Sequence, residues 1–208
     1  MRATRRLLAC LLLGAAFGAG DSLLNAASSP YSDLGALLAG TGWQSIAKGG
    51  SYVLNAGWAW AALAVAAGRI TGTRGRGAVA GVVCLGAAVT AYYAVDTPLR
   101  NEPFSLYGEE LRFWWLAALL FGAALGAVGA CIVRSGVVGL LAALTVPLGA
   151  AVQMAILPPG LEGALVPAEA IWARWIVWIA ATVVTVVVLV RFFSPTHRLS
   201  RTGQPACV

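Results

Sequence analysis

Eight polar and aromatic side chains lie at similar depths inside apolar segments, where they could build a ligand site. They are Asp21, Asn25, Tyr52, Asn55, Tyr92, Tyr93, Gln153 and Arg174. At about 1.5 Å of helical rise per residue, Asp21 lies about 24 Å from Arg5 and Arg174 about 25 Å from Arg191. Ionisable residues inside a membrane are costly and usually face a bundle interior or a cavity. The sequence therefore predicts an outward-facing polar and aromatic pocket that binds a small ligand.

Asp21 and Arg174 are the ionisable members of this set whose charges are opposite. We expect Arg174 to pair with Asp21 or with Asp96 on another helix. A purely structural interpretation stays open, because a long arginine can reach the headgroups and Asp21 can end a helix in contact with water. Asn55 can likewise join two helices by a hydrogen bond.

The run Gly18-Ala19-Gly20-Asp21 resembles the GxGD motif of intramembrane aspartyl proteases. That chemistry needs two membrane-embedded carboxyl groups that share a proton. Asp96 is the one candidate partner, but it falls at the end of an apolar segment and lacks the local sequence of a second catalytic aspartate. With 25 glycines in the chain, a GxG pattern is also common by chance. The protease remains a remote alternative, and we predict no enzymatic activity.

Histidine and cysteine offer little for catalysis or metal binding. The single histidine, His197, lies in the C-terminal tail, so the apolar segments contain no histidine base or ligand. The four cysteines are scattered singly along the chain, at Cys10, Cys84, Cys131 and Cys207. This spacing predicts neither a disulfide framework nor a metal site. We predict no catalytic residue, no metal and no cofactor.

Six apolar segments must position these side chains. The sequence predicts transmembrane helices over residues 7–27, 51–68, 78–95, 113–133, 136–157 and 170–192, each near the ~20 residues that cross a bilayer. The chain is 60% hydrophobic and 11% charged, which excludes an ordinary soluble core. We therefore predict an all-α integral membrane bundle in one domain, 1–192, followed by a polar and disordered cytoplasmic tail, 193–208.

Charged residues are divided between the two ends of these segments. All eight acidic residues fall on one side, and ten of the fourteen basic residues fall on the other. Because lysine and arginine mark the cytoplasmic side, both termini are predicted to be cytoplasmic. The excess of arginine over lysine and the segments rich in alanine, glycine, valine and leucine favour a bacterial genome, so we predict a bacterial inner (plasma) membrane. The net charge of +6 does not indicate a nucleic-acid partner, since the basic residues form short clusters beside apolar segments. Contacts with the lipid bilayer explain them better.

The first segment has a competing interpretation. Arg2, Arg5 and Arg6, followed by the apolar residues 7–17 and by Gly18 and Gly20, resemble a secretory signal with a cleavage site. Cleavage would leave the later topology unchanged, because the mature chain would start on the outer side.

Small residues and proline predict how the helices pack. Glycines recur at a spacing of four, which lets helix backbones approach closely, and we expect contacts within the bundle rather than a dimer face. Pro147 is predicted to kink the fifth segment and to face protein. The first outer link, 28–50, contains enough apolar residues for a short helix on the outer leaflet, which could cover the pocket. The glycine pairs are Gly14 and Gly18, Gly77 and Gly81, and Gly122 and Gly126.

Several stretches resemble a family of small bacterial multi-pass membrane proteins known only as a domain of unknown function. The similarity rests on Leu54-Asn55-Ala56-Gly57-Trp58-Ala59-Trp60, on Ala91-Tyr92-Tyr93, and on Gly122, Gly126 and Gly129 before Arg134. It implies an integral membrane bundle and no assigned activity. In architecture alone, the chain is also similar to the six-helix substrate-capture subunits of vitamin uptake transporters.

Two hypotheses about function follow. A bundle that binds or transports a small ligand should have a cavity around Asn55, Tyr92 and Arg174. A structural or assembly partner of another membrane protein, with no ligand, should pack the same residues closely and leave a glycine-lined groove on its lipid face.

Overall fold

The protein is a helical bundle in a computed structural model that describes residues 2–161 and 165–194. Within these ranges all regular structure is helical, which confirms the all-α prediction. Except for Ser194, the tail that follows α8 lies outside the described residues. The helices are α1 (Arg2–Ser28), α2 (Asp33–Leu38), α3 (Gly42–Leu54), α4 (Gly57–Thr71), α5 (Arg74–Arg100), α6 (Gly108–Cys131), α7 (Val137–Ile156) and α8 (Ala168–Phe193), with a 3₁₀ turn at Phe104–Tyr107.

Five helices are long and apolar enough to cross a membrane: α1, α5, α6 with its preceding turn, α7 and α8. A sixth crossing arises only if α3 and α4 together form one bent span. Large apolar side chains are exposed along α6, α7 and α8, as expected for surfaces that face lipid. The fold is therefore that of a multi-pass membrane protein with five or six spans.

The segment 51–68, which is predicted to be one helix, is divided between two helices. Helix α3 ends at Leu54, α4 begins at Gly57, and the two helices are bent by 61°. Asparagine and glycine are both weak helix formers, so the Asn55-Ala56-Gly57 sequence favours an interruption. The break also frees backbone groups at the start of α4, and one of them is bonded by a side chain from α7, described below.

The first link, 28–50, is helical, as predicted, but it forms two elements rather than one. Helix α2 is capped by Ser32, whose Oγ accepts a hydrogen bond of 3.0 Å from the Gly35 amide. Helix α3 follows and carries exposed apolar side chains, including Trp43, which is 69% exposed. This surface suits contact with lipid headgroups and the upper acyl chains.

The tightest packing joins α1, α4, α5 and α6 through small residues. A Cβ atom added at Gly18 would lie 1.9 Å from the Ala88 carbonyl oxygen, and one at Gly126 would lie 2.1 Å from the Gly77 oxygen. Glycine is therefore required at both contacts. The prediction that the three glycine pairs pack within the bundle is confirmed, because each pair meets the backbone of a neighbouring helix.

Helices α7 and α8 form a hairpin at the side of this core. Pro147 is buried within α7, which confirms that it faces protein. Among the described elements, α8 contacts only α3 and α7. Most of the α8 surface is consequently left to the lipid.

The two ends of the bundle differ in charge. Arg6 Nη1 donates to the Thr71 carbonyl oxygen at 3.4 Å, and Arg74 Nε lies 3.3 Å from Cys131 Sγ, which brings three basic segments together. We call this the basic end. At the other end, the acidic end, Ser45 Oγ donates to Glu169 Oε1 at 2.9 Å. The charge division seen in the sequence is therefore also a division in space.

Candidate functional site

Asp21 and Ser22 are the most unusual polar residues of the bundle. Both lie on α1 and are 0% exposed. Neither carboxyl oxygen of Asp21 has a hydrogen-bond partner within the described part of the chain, and the Ser22 hydroxyl has none there either. Buried polar groups are nearly always hydrogen-bonded, so the unpartnered oxygens of these two consecutive residues make this part of α1 a candidate binding site.

Two aromatic side chains from other helices stand beside Asp21. The indole of Trp60, on α4, lies near the carboxyl group but does not meet the geometry of a hydrogen bond. Trp60 is held by an edge-on contact with Phe17, whose ring centre is 5.4 Å away. Tyr92, on α5, lies close enough for the Asp21 charge to act on its hydroxyl group. The Asp21 site is therefore built by α1, α4 and α5.

One helical turn beyond Asp21, the site is closed by a direct link between α1 and α5. Asn25 Nδ2 donates a hydrogen bond of 2.8 Å to the Tyr92 hydroxyl oxygen. Residues four apart lie on the same helix face, so Asn25 and Asp21 both face α5. Toward the basic end from Asp21, Gly18 and Gly14 pack against the backbone of Ala88 and Cys84 on α5.

A polar group at the acidic end continues from Tyr92 toward the surface. Arg100 Nε forms a salt bridge of 2.9 Å with Asp96 Oδ2, and the Tyr107 hydroxyl lies 3.2 Å from the same oxygen. Tyr107 also contacts Glu102, so its hydroxyl group, which has a single proton, lies between two carboxylates. Asp96, Arg100, Glu102 and Tyr107 are called the Asp96 cluster below. The Asp96 charge also acts on the Tyr92 hydroxyl, which connects the cluster to the Asp21 site.

A second polar group lies at the break between α3 and α4. Gln153 Oε1, on α7, accepts a hydrogen bond of 2.9 Å from the Trp58 amide and so bonds one of the free donors at the start of α4. Asn55 ends α3 and is exposed. Tyr52 lies half-buried in the last turn of α3. This group fixes the bend and makes no hydrogen bond to Asp21.

Arg174 lies apart from both groups. It is exposed on α8 and lines a cleft of about 430 Å³ together with Pro158, Pro159 and Trp178. The predicted pairing of Arg174 with Asp21 or Asp96 is wrong, because Asp21 has no hydrogen-bond partner among the described residues and Asp96 pairs with Arg100. A side chain on the outermost helix does not need an internal counter-charge, since it reaches solvent or headgroups directly.

The eight predicted binding residues thus do not form one pocket. Asp21, Asn25 and Tyr92 come together, whereas Tyr93 turns to α6, where its hydroxyl lies 3.2 Å from Glu110 Oε2. Two residues at a similar depth in the membrane can lie on different helix faces and contact different helices. The remaining four belong to the α3–α4 break or to α8: Tyr52, Asn55, Gln153 and Arg174.

The structure gives no support to a pair of catalytic carboxyl groups. Asp96 is bonded to Arg100 and Tyr107, and Asp21 has no hydrogen bond within the described ranges, so the two carboxyl groups do not share a proton here. Among the described residues, Cys10, Cys84 and Cys131 are free thiols, and no group of three histidine, cysteine or acidic side chains could hold a metal ion. Cys207 and His197 lie outside the described residues.

No family model, no curated protein and no solved structure matches this chain. The resemblance to the uncharacterised membrane family therefore stays a prediction.

Sequence reasoning did not identify Ser22, Trp60 or the Asp96 cluster. A signal for the cluster was present, because Asp96 and Arg100 are four residues apart on one helix. Ser22 and Trp60 gave no such signal, since serine and tryptophan are common in membrane helices. Only the helix packing shows that Ser22 is buried without a partner among the described residues and that Trp60 lies beside Asp21.

Proposed function

We propose that this membrane protein binds a small cation in the interior formed by α1, α4 and α5, with Asp21 as the residue that selects positive charge. The observation that carries the proposal is the fully buried Asp21 carboxyl group, whose two oxygens are unpartnered within the described residues. The next residue of α1, Ser22, has an equally unpartnered hydroxyl group. An ionised carboxylate in a low-dielectric interior needs a compensating charge. No arginine or lysine side chain supplies one to Asp21 within the described part of the chain.

The chemistry of the three oxygens supports a ligand that carries hydrogen-bond donors or a bare positive charge. A protonated primary amine has three donors, which matches two carboxylate oxygens and one hydroxyl oxygen. A monovalent metal ion would use the same oxygens as ligands. Because Asp21 is 0% exposed, the ligand must be small or must enter when the helices separate.

Access is favoured from the acidic end. The Asp96 cluster contains two carboxylates and one arginine, so its net charge attracts cations toward Tyr92 and the Asp21 site. Toward the basic end, α1 and α5 touch backbone to backbone at Gly18–Ala88 and Gly14–Cys84. Release toward the basic end would require these two helices to move apart, so translocation, as opposed to binding, depends on that movement.

Thermal unfolding of the purified protein in detergent tests the proposal. The panel is sodium, potassium, ammonium, methylammonium and tetramethylammonium chloride at equal ionic strength. A ligand at 100 times its dissociation constant stabilises the folded state by about 2.7 kcal/mol, so we expect one or more of the small cations to raise Tm by several degrees. Asp21→Asn should abolish this rise, and Asp33→Asn, which changes an exposed acid at the same end, should retain it.

A flat response of the unsubstituted protein across the panel would contradict the proposal, and so would a full response in Asp21→Asn. If Asp21→Asn does not fold, Ser22→Ala serves as the second variant, because it removes one ligand oxygen and keeps the charge. Ser22→Ala should weaken the response to the active cation without changing which cation is active.

A structural or assembly role without a ligand is the second candidate. It is favoured by the exposure of α8, because only 11% of the most apolar 18-residue stretch of this helix is buried in the bundle. A partner membrane protein could cover this surface in place of lipid. The same cation panel separates the two roles, because a purely structural protein gives no cation-specific rise in Tm.

A further inference from the structure

A cleft of about 420 Å³ at the basic end has the features of an anion site. It lies between the start of α1, the end of α4 and the start of α5. Arg6 and Arg76 line it, and no acidic residue of the described chain does. The hydrogen bond from Arg6 Nη1 to the Thr71 carbonyl oxygen positions one guanidinium across the cleft and leaves its other donors free to bind an anion. These features differ in charge and in place from the Asp21 site.

The backbone at the start of α5 adds donors to the same cleft. Helix α5 begins at Arg74, and the side chain of its N-cap residue, Thr73, makes no capping hydrogen bond. The first amides of α5 are therefore unbonded donors at the positive end of a helix of 27 residues. Gly75 lies in the cleft wall, and a Cβ atom added there would meet nothing within 4 Å, so the cleft has free space beside this residue.

Apolar side chains also line the cleft, close to where two candidate membrane spans begin. They include Leu7 and Val79. Two of the candidate spans, Ala3–Ser28 and Arg74–Arg100, start at the cleft. An anion that occupies it would thus meet both arginine and apolar side chains near the start of two candidate spans, which is the environment expected for a phospholipid headgroup.

We propose that this cleft binds the phosphate group of an anionic phospholipid, with Arg6, Arg76 and the first amides of α5 as donors and with Leu7 and Val79 against the glycerol and upper acyl chain. Guanidinium groups bind phosphate oxygens in pairs, and the exposed amides extend that recognition. The proposal does not depend on Asp21 or on any cation.

Native mass spectrometry of the purified protein, titrated with dioleoyl phosphatidylglycerol, dioleoyl phosphatidylcholine or inorganic phosphate, tests the site. We expect one phosphatidylglycerol to bind preferentially over phosphatidylcholine. The double variant Arg6→Gln/Arg76→Gln should weaken that binding at least about tenfold, because both guanidinium groups contact the phosphate. The matched control Arg134→Gln/Arg191→Gln removes two exposed charges outside the cleft and should bind as the unsubstituted protein does.

A second variant keeps both arginines. Gly75→Glu places a carboxylate in the cleft at a position with free space, and it should also weaken phosphatidylglycerol binding. Equal binding of phosphatidylglycerol by the unsubstituted protein and Arg6→Gln/Arg76→Gln would overturn the site. Equal binding of phosphatidylcholine would overturn its selectivity for negative charge, and saturation by inorganic phosphate alone would overturn the assignment to a lipid.

Discussion

Asn25 on α1 donates a hydrogen bond of 2.8 Å to the hydroxyl group of Tyr92 on α5, one turn beyond the buried carboxyl group of Asp21. This bond closes the interior site on the side from which a cation would arrive. We therefore expect it to stabilise the bundle and, under the proposed function, to affect access to Asp21.

The contribution of this bond can be measured with Asn25→Ala, Tyr92→Phe and the double variant. A hydrogen bond between neutral side chains contributes about 1 kcal/mol net, and we expect a coupling energy of about that size in unfolding experiments. Tyr31→Phe is the matched control, since Tyr31 is 92% exposed, and it should leave stability unchanged. Strict additivity of the two substitutions would contradict the proposed role of the bond.

The contact between α1 and α5 should not tolerate a larger residue at Gly18. Gly18→Ala places a Cβ atom 1.9 Å from the Ala88 carbonyl oxygen, so the helices must separate. We expect a loss of about 1–3 kcal/mol in the free energy of unfolding, measured by denaturant titration in detergent. Gly20→Ala is the matched control on the same helix, since nothing lies within 4 Å of its added Cβ atom. It should be neutral or slightly stabilising, because alanine favours a helix over glycine.

Gln153 should control the bend between α3 and α4. Gln153→Leu removes the acceptor of the Trp58 amide at the start of α4 and leaves that partly buried donor unbonded. The expected loss in the free energy of unfolding is about 1–3 kcal/mol. Asn55→Ala, at the exposed end of α3, should cost less. A larger loss for Asn55→Ala than for Gln153→Leu would show that the bend is fixed by Asn55.

The charge division predicts the orientation of the protein in the membrane. With Cys207 changed to serine, the remaining cysteines, Cys10, Cys84 and Cys131, are buried. We expect a cysteine introduced at Ser135, at the basic end, to react with a membrane-impermeant maleimide only after the membrane is opened. One introduced at Glu102, at the acidic end, should react in intact cells. The reverse pattern would overturn the prediction that both termini are cytoplasmic.

The sequence was sufficient for the helical class and for most helix positions, because apolar segments of about 20 residues allow few alternatives in a bilayer. Glycine spacing likewise predicted packing within the bundle, as at Gly18 and Gly126. The bend at Asn55 was not predicted, because a hydropathy pattern shows only how apolar a segment is. The Trp58 amide that the break leaves free is bonded by Gln153, which is 95 positions away in the sequence.

The candidate site was predicted only in part. Asp21, Asn25 and Tyr92 are neighbours, but Arg174 is not, because equal depth on different helices does not determine which helices touch. Helix contacts in this bundle depend on close backbone approach at small residues. Which small residues meet is known only from the three-dimensional structure. A sequence with 25 glycines is compatible with many different helix pairings.

The position of α8 has a consequence for how the chain assembles. Among the described elements, α8 touches only α3 and α7, whereas α4 and α5 contact each other and both contact α1 and α6. Since a chain is made from its amino terminus, this four-helix kernel can close while α7 and α8 are still being synthesised. The Gln153–Trp58 hydrogen bond then joins the later α7–α8 hairpin to this kernel, so a chain truncated after residue 135 should still form a compact membrane domain.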